Sequence, residues 1–429
     1  MQTRIRVPIP AALVCAVAIA GSVPSLAAQD QAPSRAAALF RRVSPAVVRV
    51  EVFDVKSNAK TTTGSGFYVS RDGHLVTNYH VVADWILDPD NHRMQVIGGE
   101  DTASVEVLAI DIVNDLAILH TGRRAPAILR MAAARPRQGE DLFALGYPGD
   151  LGIAIVQGTY NGHLEHTLHA QIHFTGSLNP GMSGGPTLNR RGDVVGINVA
   201  TAGNQVSFLV PGERAGVLMA FADDSGYVAP EDYLPVIDSQ MTANQAAYVD
   251  RMLAGEMVTT ALGPFEVPTR PAPFFDCWGA TDDDAAPQWE YVYHQCTTDD
   301  RIYLSDGYHG PIVRLHYTMV RAGNVNTFQF HRQLSSLLNN ARFWMGGGDE
   351  TTAFRCENDN IRVDDHAYHA VLCARRLIRL PDLYDVTFRA VSLGTRPVAL
   401  LTTLRMSAVG FDNALRTVQT LLESITWTR

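Results

Sequence analysis

The chain has few cysteines, no basic excess and almost no long apolar run, and each shortage removes a class of function. Its 429 residues contain five cysteines, none in a Cys-x-x-Cys spacing. The common zinc-ribbon and dithiol-redox frameworks therefore have no foothold. Lysine and arginine total 35 against 44 acidic residues, a formal net charge of −9. No basic field favours nucleic acid, and none is expected as a partner. Beyond the first twenty or so residues, no stretch is long and apolar enough to span a bilayer. With 46% hydrophobic and 18% charged residues, the chain is neither disordered nor fibrous in composition. Its length predicts two or three domains.

The first residues have a separate purpose. Arg4 and Arg6 precede a short apolar core, Pro8–Ala20, and Ser25-Leu26-Ala27 offers small residues for cleavage after Ala27. Residues 1–27 thus read as an export signal, with a core too short for a comfortable membrane anchor. Cys15 falls inside it, without the small preceding residue that a lipoprotein signal needs. Removal of Arg4 and Arg6 leaves 33 basic against 44 acidic residues, a charge of about −11. The mature protein is expected in the periplasm or outside the cell. Four cysteines then remain, and an even count in an exported chain predicts two disulfides. The sequential pairs Cys277–Cys296 and Cys356–Cys373 are favoured among the three pairings because each closes a short loop. A zinc site is the rival.

The stretch Asn179-Pro180-Gly181-Met182-Ser183-Gly184-Gly185-Pro186 organises the rest. Glycines around a serine can mark an ordinary turn. They also keep the approach to a nucleophilic hydroxyl clear, and the N–H groups of Gly181 and Ser183 could serve a developing oxyanion. A serine at its ordinary pKa needs a base, and the base an orienter. Upstream, Gly64–Val82 reads as a hairpin with an Asp-Gly turn, and His80 follows its second strand. Val105–Leu119 carries Asp111 and Asp115 beside an apolar run. The order is His, Asp, Ser.

Together these pieces resemble the trypsin/chymotrypsin-like serine proteases, most closely the bacterial HtrA (high-temperature-requirement) branch. The matching residues are Gly64–Gly66, Thr77–Val82, Asn114-Asp115-Leu116-Ala117, Ser177–Gly185 and Val195-Gly196-Ile197-Asn198. The resemblance covers roughly residues 36–222. It implies an all-β domain of two six-stranded barrels with the active site between them. It implies His80, Asp115 and Ser183 as catalytic triad, and Gly181 and Ser183 as oxyanion hole. Asp111 is the rival to Asp115, which stands directly before Leu116-Ala117-Ile118-Leu119 as in the family pattern. Ser177, Asn198, Val199, Ala200 and Thr201, with Phe208 beside them, are implied for substrate binding. Ser177 is no acid, which disfavours a trypsin-like preference for Arg or Lys and leaves a small or medium apolar side chain. Met182 stands where the digestive enzymes carry an aspartate and HtrA proteins an asparagine, so the loop needs another means of ordering. Polypeptides are the implied substrates; no cofactor and no metal are expected. A catalytically weak binding or chaperone-like protein, and a hydrolase of small esters, are the alternatives.

The remainder is less explicit. Residues 223–273 read as a linker with a helix over Ser239–Glu256, followed by a proline-marked extended segment. Residues 274–429 read as an α+β, disulfide-containing domain of unknown role. Its expected strands include Glu290–Cys296, Ile312–Arg321, Ala370–Ile378 and Tyr384–Val391. Helices are expected over Thr327–Asn340 and at the C-terminus, with Asp412 as a cap. No PDZ pattern follows the protease-like stretch. His163, His169 and His173 share a face of an expected strand, Leu164–Phe174; a solvated face is favoured over a metal site.

Overall fold

A computed structural model describes residues 34–427, apart from 150, 202–204, 225, 256, 283–287, 299–300, 340–347 and 395–396. The expected signal, 1–27, lies outside the described residues. Among them, no helix is long and apolar enough to cross a membrane.

After helix α1 (Arg35–Val43), seven strands form one antiparallel sheet: β1 (Val47–Asp54), β2 (Lys60–Tyr68), β3 (His74–Thr77), β4 (His92–Gly98), β5 (Asp101–Ser104), β6 (Glu106–Asp111) and β7 (Leu116–His120). Their order is β5-β4-β1-β2-β3-β7-β6. Val48, Val50 and Val52 of β1 alternate into its core. The next six strands close into a barrel: β8 (Asp141–Gly146), β9 (Ala154–His163), β10 (Ile172–Phe174), β11 (Pro186–Leu188), β12 (Val194–Thr201) and β13 (Ser207–Pro211). Two six-stranded barrels were expected; one is closed, and the N-terminal sheet has seven strands whose ends, β5 and β6, do not pair. The expected strand Leu164–Phe174 is reduced to Ile172–Phe174, so the histidines before it do not share a strand face. His169 instead bonds Asn244 at 2.8 Å.

Helix α2 (Tyr79–Leu87) follows β3 directly, and α3 (Gly212–Ala222) follows the barrel. Helix α4 (Leu234–Leu253) starts five residues earlier than expected, with Pro235 in its first turn, where the lost N–H costs nothing. It acts as a strut. Tyr233, just before it, and its residues Ile237 and Met241 pack into the core of the N-terminal sheet. Tyr248, Val249 and Met252, further along it, pack into a second core. The proline-marked segment forms a hairpin, β14 (Val258–Leu262) with β15 (Phe265–Arg270).

That second core belongs to another seven-stranded sheet. It contains β16 (Asp276–Asp282), β17 (Trp289–Thr297), β20 (Val313–Ala322), β21 (Arg355–Val363), β22 (His366–Arg376), β23 (Leu383–Leu393) and β24 (Val398–Gly410), in the order β16-β17-β20-β24-β23-β22-β21. The short hairpin of β18 (Ile302–Ser305) and β19 (Tyr308–Gly310) projects from it, and β25 (Thr426–Trp427) pairs with β15. Helix α6 (Phe411–Glu423) packs with α4 on one face of the sheet. Helix α5 (Thr327–Asn339) covers part of the other through Phe330, Leu334 and Leu338. Disulfides join Cys277 to Cys296 and Cys356 to Cys373. Each pair faces directly across adjacent strands.

Candidate active site

His80 is the second residue of α2, which follows the last residue of β3, Thr77, after the single buried residue Asn78. Asp115 lies in the turn between β6 and β7, with φ at +53°. An aspartate tolerates that left-handed conformation better than most residues. The turn is clamped on several sides. Asp115 N–H donates to the Ile112 carbonyl at 3.2 Å. The Asn78 amide donates to the Asp115 carbonyl at 2.7 Å. Gln240 of α4 accepts from Ile112 N–H at 2.8 Å and donates to the Ile110 carbonyl at 2.9 Å.

The carboxylate of Asp115 reaches His80 through both oxygens. Oδ1 accepts from the His80 backbone N–H at 2.9 Å, and Oδ2 meets ring Nδ1 at 2.7 Å. An ionised carboxylate can only accept, so Nδ1 carries the proton and Nε2 is left with a lone pair. Burial works against the charged ring. The Asp115 charge and hydrogen bond outweigh it, with a smaller contribution from Asp306, and the His80 pKa lies above the ordinary value. The side chain still keeps 25% of its surface exposed. Asp111 faces elsewhere: its carboxylate accepts from the backbone and side chain of Asn114.

The Ser183 loop is pinned against the N-terminal sheet by Ser65. Ser65 N–H donates to the Ser183 carbonyl at 2.7 Å. Ser65 Oγ donates to the Gly181 carbonyl at 2.7 Å and accepts from Tyr147 N–H at 2.9 Å. Two glycines make this fit possible. Gly181 has φ +92°, and a Cβ there would lie 2.3 Å from the Tyr147 carbonyl oxygen. Gly184 has φ +82°, and its Cβ would lie 2.2 Å from the Ser65 carbonyl oxygen and 3.0 Å from Asn78 N, two residues before His80. Met182 explains how the loop is ordered without an acid there. Its side chain is fully buried in the barrel core with Leu142, Phe174, Leu178 and Leu209.

The N–H groups of Gly181 and Ser183 donate to no acceptor among the described residues. Ser183 Oγ donates to the Val199 carbonyl at 2.9 Å. No hydrogen bond joins it to His80. The structure therefore joins His80 and Asp115 directly and lays the Ser183 loop beside them, with the hydroxyl turned to β12.

The residues expected around the substrate separate. Asn198 is buried, and its side chain is consumed internally: Nδ2 donates to the Leu145 and Met182 carbonyls, and Oδ1 accepts from Thr187. It supports the serine loop and has no polar side-chain atom left for a substrate. Ser177 is exposed. Ala200 and Thr201 continue β12 opposite Phe208 and Ser207. Val199 and Phe208 line a cleft of about 310 Å³ with His80 and Asp115.

Sequence reasoning missed the other wall. Tyr303 and His309, from the β18–β19 hairpin, face His80 across this cleft. The Tyr303 ring centroid is 5.8 Å from that of His80 and 5.1 Å from that of His309. Burial and the nearby Arg301 hold His309 below the ordinary histidine pKa. The hairpin is anchored from behind, where the Tyr308 hydroxyl bonds the buried Asp385 carboxylate, itself paired with Arg375 Nη2 at 2.8 Å.

Comparison with known proteins finds similarity over the stretch that holds these residues. Residues 64–197 match the family described as trypsin-like peptidase domain. Serine protease HTRA1 of Xenopus laevis is 30% identical over 197 residues, covering 42% of this chain and 42% of the relative. Mitochondrial serine protease HTRA2 of Bos taurus is 32% identical over 191 residues, covering 41% and 40%. A serine endoprotease structure from Yersinia pestis is 26% identical with a TM-score of 0.39, covering 46% of this chain and 70% of that one. The chain thus spans about two fifths of the length of those two relatives. Within those bounds, this chain carries a trypsin-like peptidase domain whose homologues are the HtrA serine proteases.

Proposed function

We propose that the protein is an exported serine endopeptidase acting through His80, Asp115 and Ser183. The observation that carries the reading is the double attachment of Asp115 to His80, which fixes both the ring and its tautomer. Rotation about the Ser183 Cα–Cβ bond takes Oγ from the Val199 carbonyl towards Nε2. Oγ then attacks the scissile carbonyl carbon as its proton passes to Nε2. The carbonyl π electrons move to oxygen, and the uncommitted N–H groups of Gly181 and Ser183 stabilise the oxyanion. Collapse expels the amine, which takes the proton from Nε2, and leaves an acyl-serine. Water, deprotonated by the same nitrogen, hydrolyses that ester.

The substrate chain is read as lying along Val199–Thr201 by strand addition, with a small or medium apolar side chain next to the cleaved bond. Residues 1–27 and the two disulfides support an oxidising location, periplasmic or extracellular. The relatives do not favour a non-catalytic binding role. The test is covalent labelling by a fluorophosphonate together with digestion of unfolded casein. Wild type should do both and Ser183→Ala neither, with unchanged thermal unfolding. A folded wild-type protein that never labels refutes the reading.

A further inference from the structure

The C-terminal sheet has a second recess, with chemistry opposite to that of the chain as a whole. Its core face is apolar, with Leu315, Leu404 and Cys296 pointing towards α4 and α6. On the opposite face, beyond the part covered by α5, alternate residues of the same strands line a cavity of about 610 Å³. They include Gln295 and Tyr293 of β17, Arg314 and His316 of β20, and Thr403 and Arg405 of β24. No carboxylate lines it among the described residues, in a chain of net charge −9.

Strand register puts the positive charges together. Arg314 lies directly across from Arg405, and His316 from Thr403. Like charges facing each other on neighbouring strands oppose folding, and no carboxylate lies within this recess among the described residues to offset them. A third guanidinium, Arg389, stands directly across from Thr403 on β23. Its nitrogens already serve the carbonyls of Leu337 and Leu338 at the end of α5. Among the described residues Arg405 has no such partner, and its Nε is buried without a hydrogen bond. Burial, then Arg314, lowers the Arg405 pKa, and burial, then Arg405 and Arg389, lowers that of His316. In both, burial is the larger cause and the neighbouring guanidiniums add to it. Beside it, Tyr291 and Tyr293 stack with ring centroids 6.1 Å apart.

We propose that this recess binds a phosphoryl group, with Arg314 and Arg405 as its paired cationic ligands and Thr403 as a hydroxyl donor. Two adjacent guanidiniums call for a dianion with several acceptor oxygens, which a phosphate monoester supplies and a carboxylate does not. The stacked tyrosines receive the apolar part of the ester. The bearer is a soluble ester or the headgroup of a lipid. The site is independent of the protease reading, since it shares no residue with the cleft beside His80.

The test uses the full mature chain in low-salt buffer. Titration calorimetry is run with inorganic phosphate, phenyl phosphate and acetate, and co-sedimentation with phosphatidylcholine vesicles with and without phosphatidic acid. Saturable binding of phosphate, tighter binding of phenyl phosphate and weak binding of acetate are expected. Arg405→Lys keeps a charge but loses the fork, and Arg314→Gln removes an exposed charge; each should weaken binding about ten-fold or more. Should Arg405→Lys unfold, the exposed Arg314 position decides alone. Phenyl phosphate binding without vesicle binding supports a soluble ester. Vesicle binding that needs phosphatidic acid and is competed by phenyl phosphate supports a lipid. The proposal is overturned if neither phosphate, phenyl phosphate nor vesicles bind. It is also overturned if acetate binds as tightly as phosphate, or if affinity is unchanged in the folded variants.

Discussion

Ser65 should control the serine loop without touching the substrate. Its hydroxyl is fully buried and holds two backbone groups at once, the Gly181 carbonyl and Tyr147 N–H. Ser65→Ala removes both bonds while keeping the volume close to native. Each backbone group left unmet costs about 1–3 kcal/mol. A rigid loop would therefore lose about 2 kcal/mol or more of stability. A loop that relaxes to recover those bonds moves Gly181, whose carbonyl Ser65 holds and whose N–H is one of the two proposed oxyanion donors. Loss of one such donor costs about 10²–10³ in kcat. The two costs trade against each other, so both must be measured on one sample. Denaturant unfolding gives the first, and the rate of fluorophosphonate labelling with kcat on a peptide gives the second. Ser57→Ala is the control: its exposed hydroxyl bonds only locally, to Asp54 and Ala59, and should change stability by less than about 0.5 kcal/mol. If Ser65→Ala keeps wild-type rates and loses less than about 0.5 kcal/mol, the clasp does not order the loop.

Three further outcomes follow from the same geometry. Because the Asp115 pair holds the His80 pKa above about 6.5, and the protonated ring cannot accept a proton, kcat/KM should fall as pH drops through a point above the ordinary histidine range. Asp115→Asn should lower that point and reduce kcat by about 10⁴, as a pH–rate profile will read; the pair's contribution to stability is full below about pH 6.5 and fades as pH rises through the folded pKa. Met182→Ala empties a buried site in the barrel core and should cost about 2–5 kcal/mol, read by denaturant unfolding; a cost near zero would mean that the loop is not held by that anchor. Tyr303→Ala opens the wall facing His80 and should raise KM for peptides several-fold while leaving labelling by a small fluorophosphonate unchanged, so an equal loss in both assays would place Tyr303 in the chemistry itself.

Local features of the site were legible in the sequence because they are chemically demanding. A nucleophile loop needs glycines where Cβ atoms would strike backbone, and Gly181 and Gly184 occupy such positions. The choice of Asp115 over Asp111 agrees with geometry that the sequence could not supply, since Asp111 turns to Asn114. Alternation of apolar residues in the sequence marked strands such as Val48–Val52 in β1, while Tyr384–Val391 in β23 is buried on both faces. Asn198 was misplaced because a strand neighbour of a cleft can point either way, and here a buried triple hydrogen-bond set draws it inward. Helix α2 was hidden by the apolar run Tyr79–Leu87, which periodicity alone cannot separate from a strand.

The larger omission was relational. Nothing in residues 274–429 marks Tyr303 or His309 as cleft residues, because the contact spans most of the chain: Tyr79 reaches the Leu304 carbonyl 225 positions away. What makes the contact dependable is shared burial. Ile302, Leu304 and Tyr308 of the hairpin belong to the same core as Tyr79, Val82 and Ile86 of α2. The helix that positions His80 is therefore packed partly by the C-terminal unit, and α4 ties Ile110 and Ile112, next to Asp115, to the same unit through Gln240. Two of the three proposed catalytic residues thus lean on residues outside the matched stretch 64–197. It follows physically that the trypsin-like segment alone would expose the apolar side of α2 and loosen the Asp115 turn. On this structure the C-terminal unit is part of the scaffold of the candidate site, and its removal should loosen the His80–Asp115 geometry.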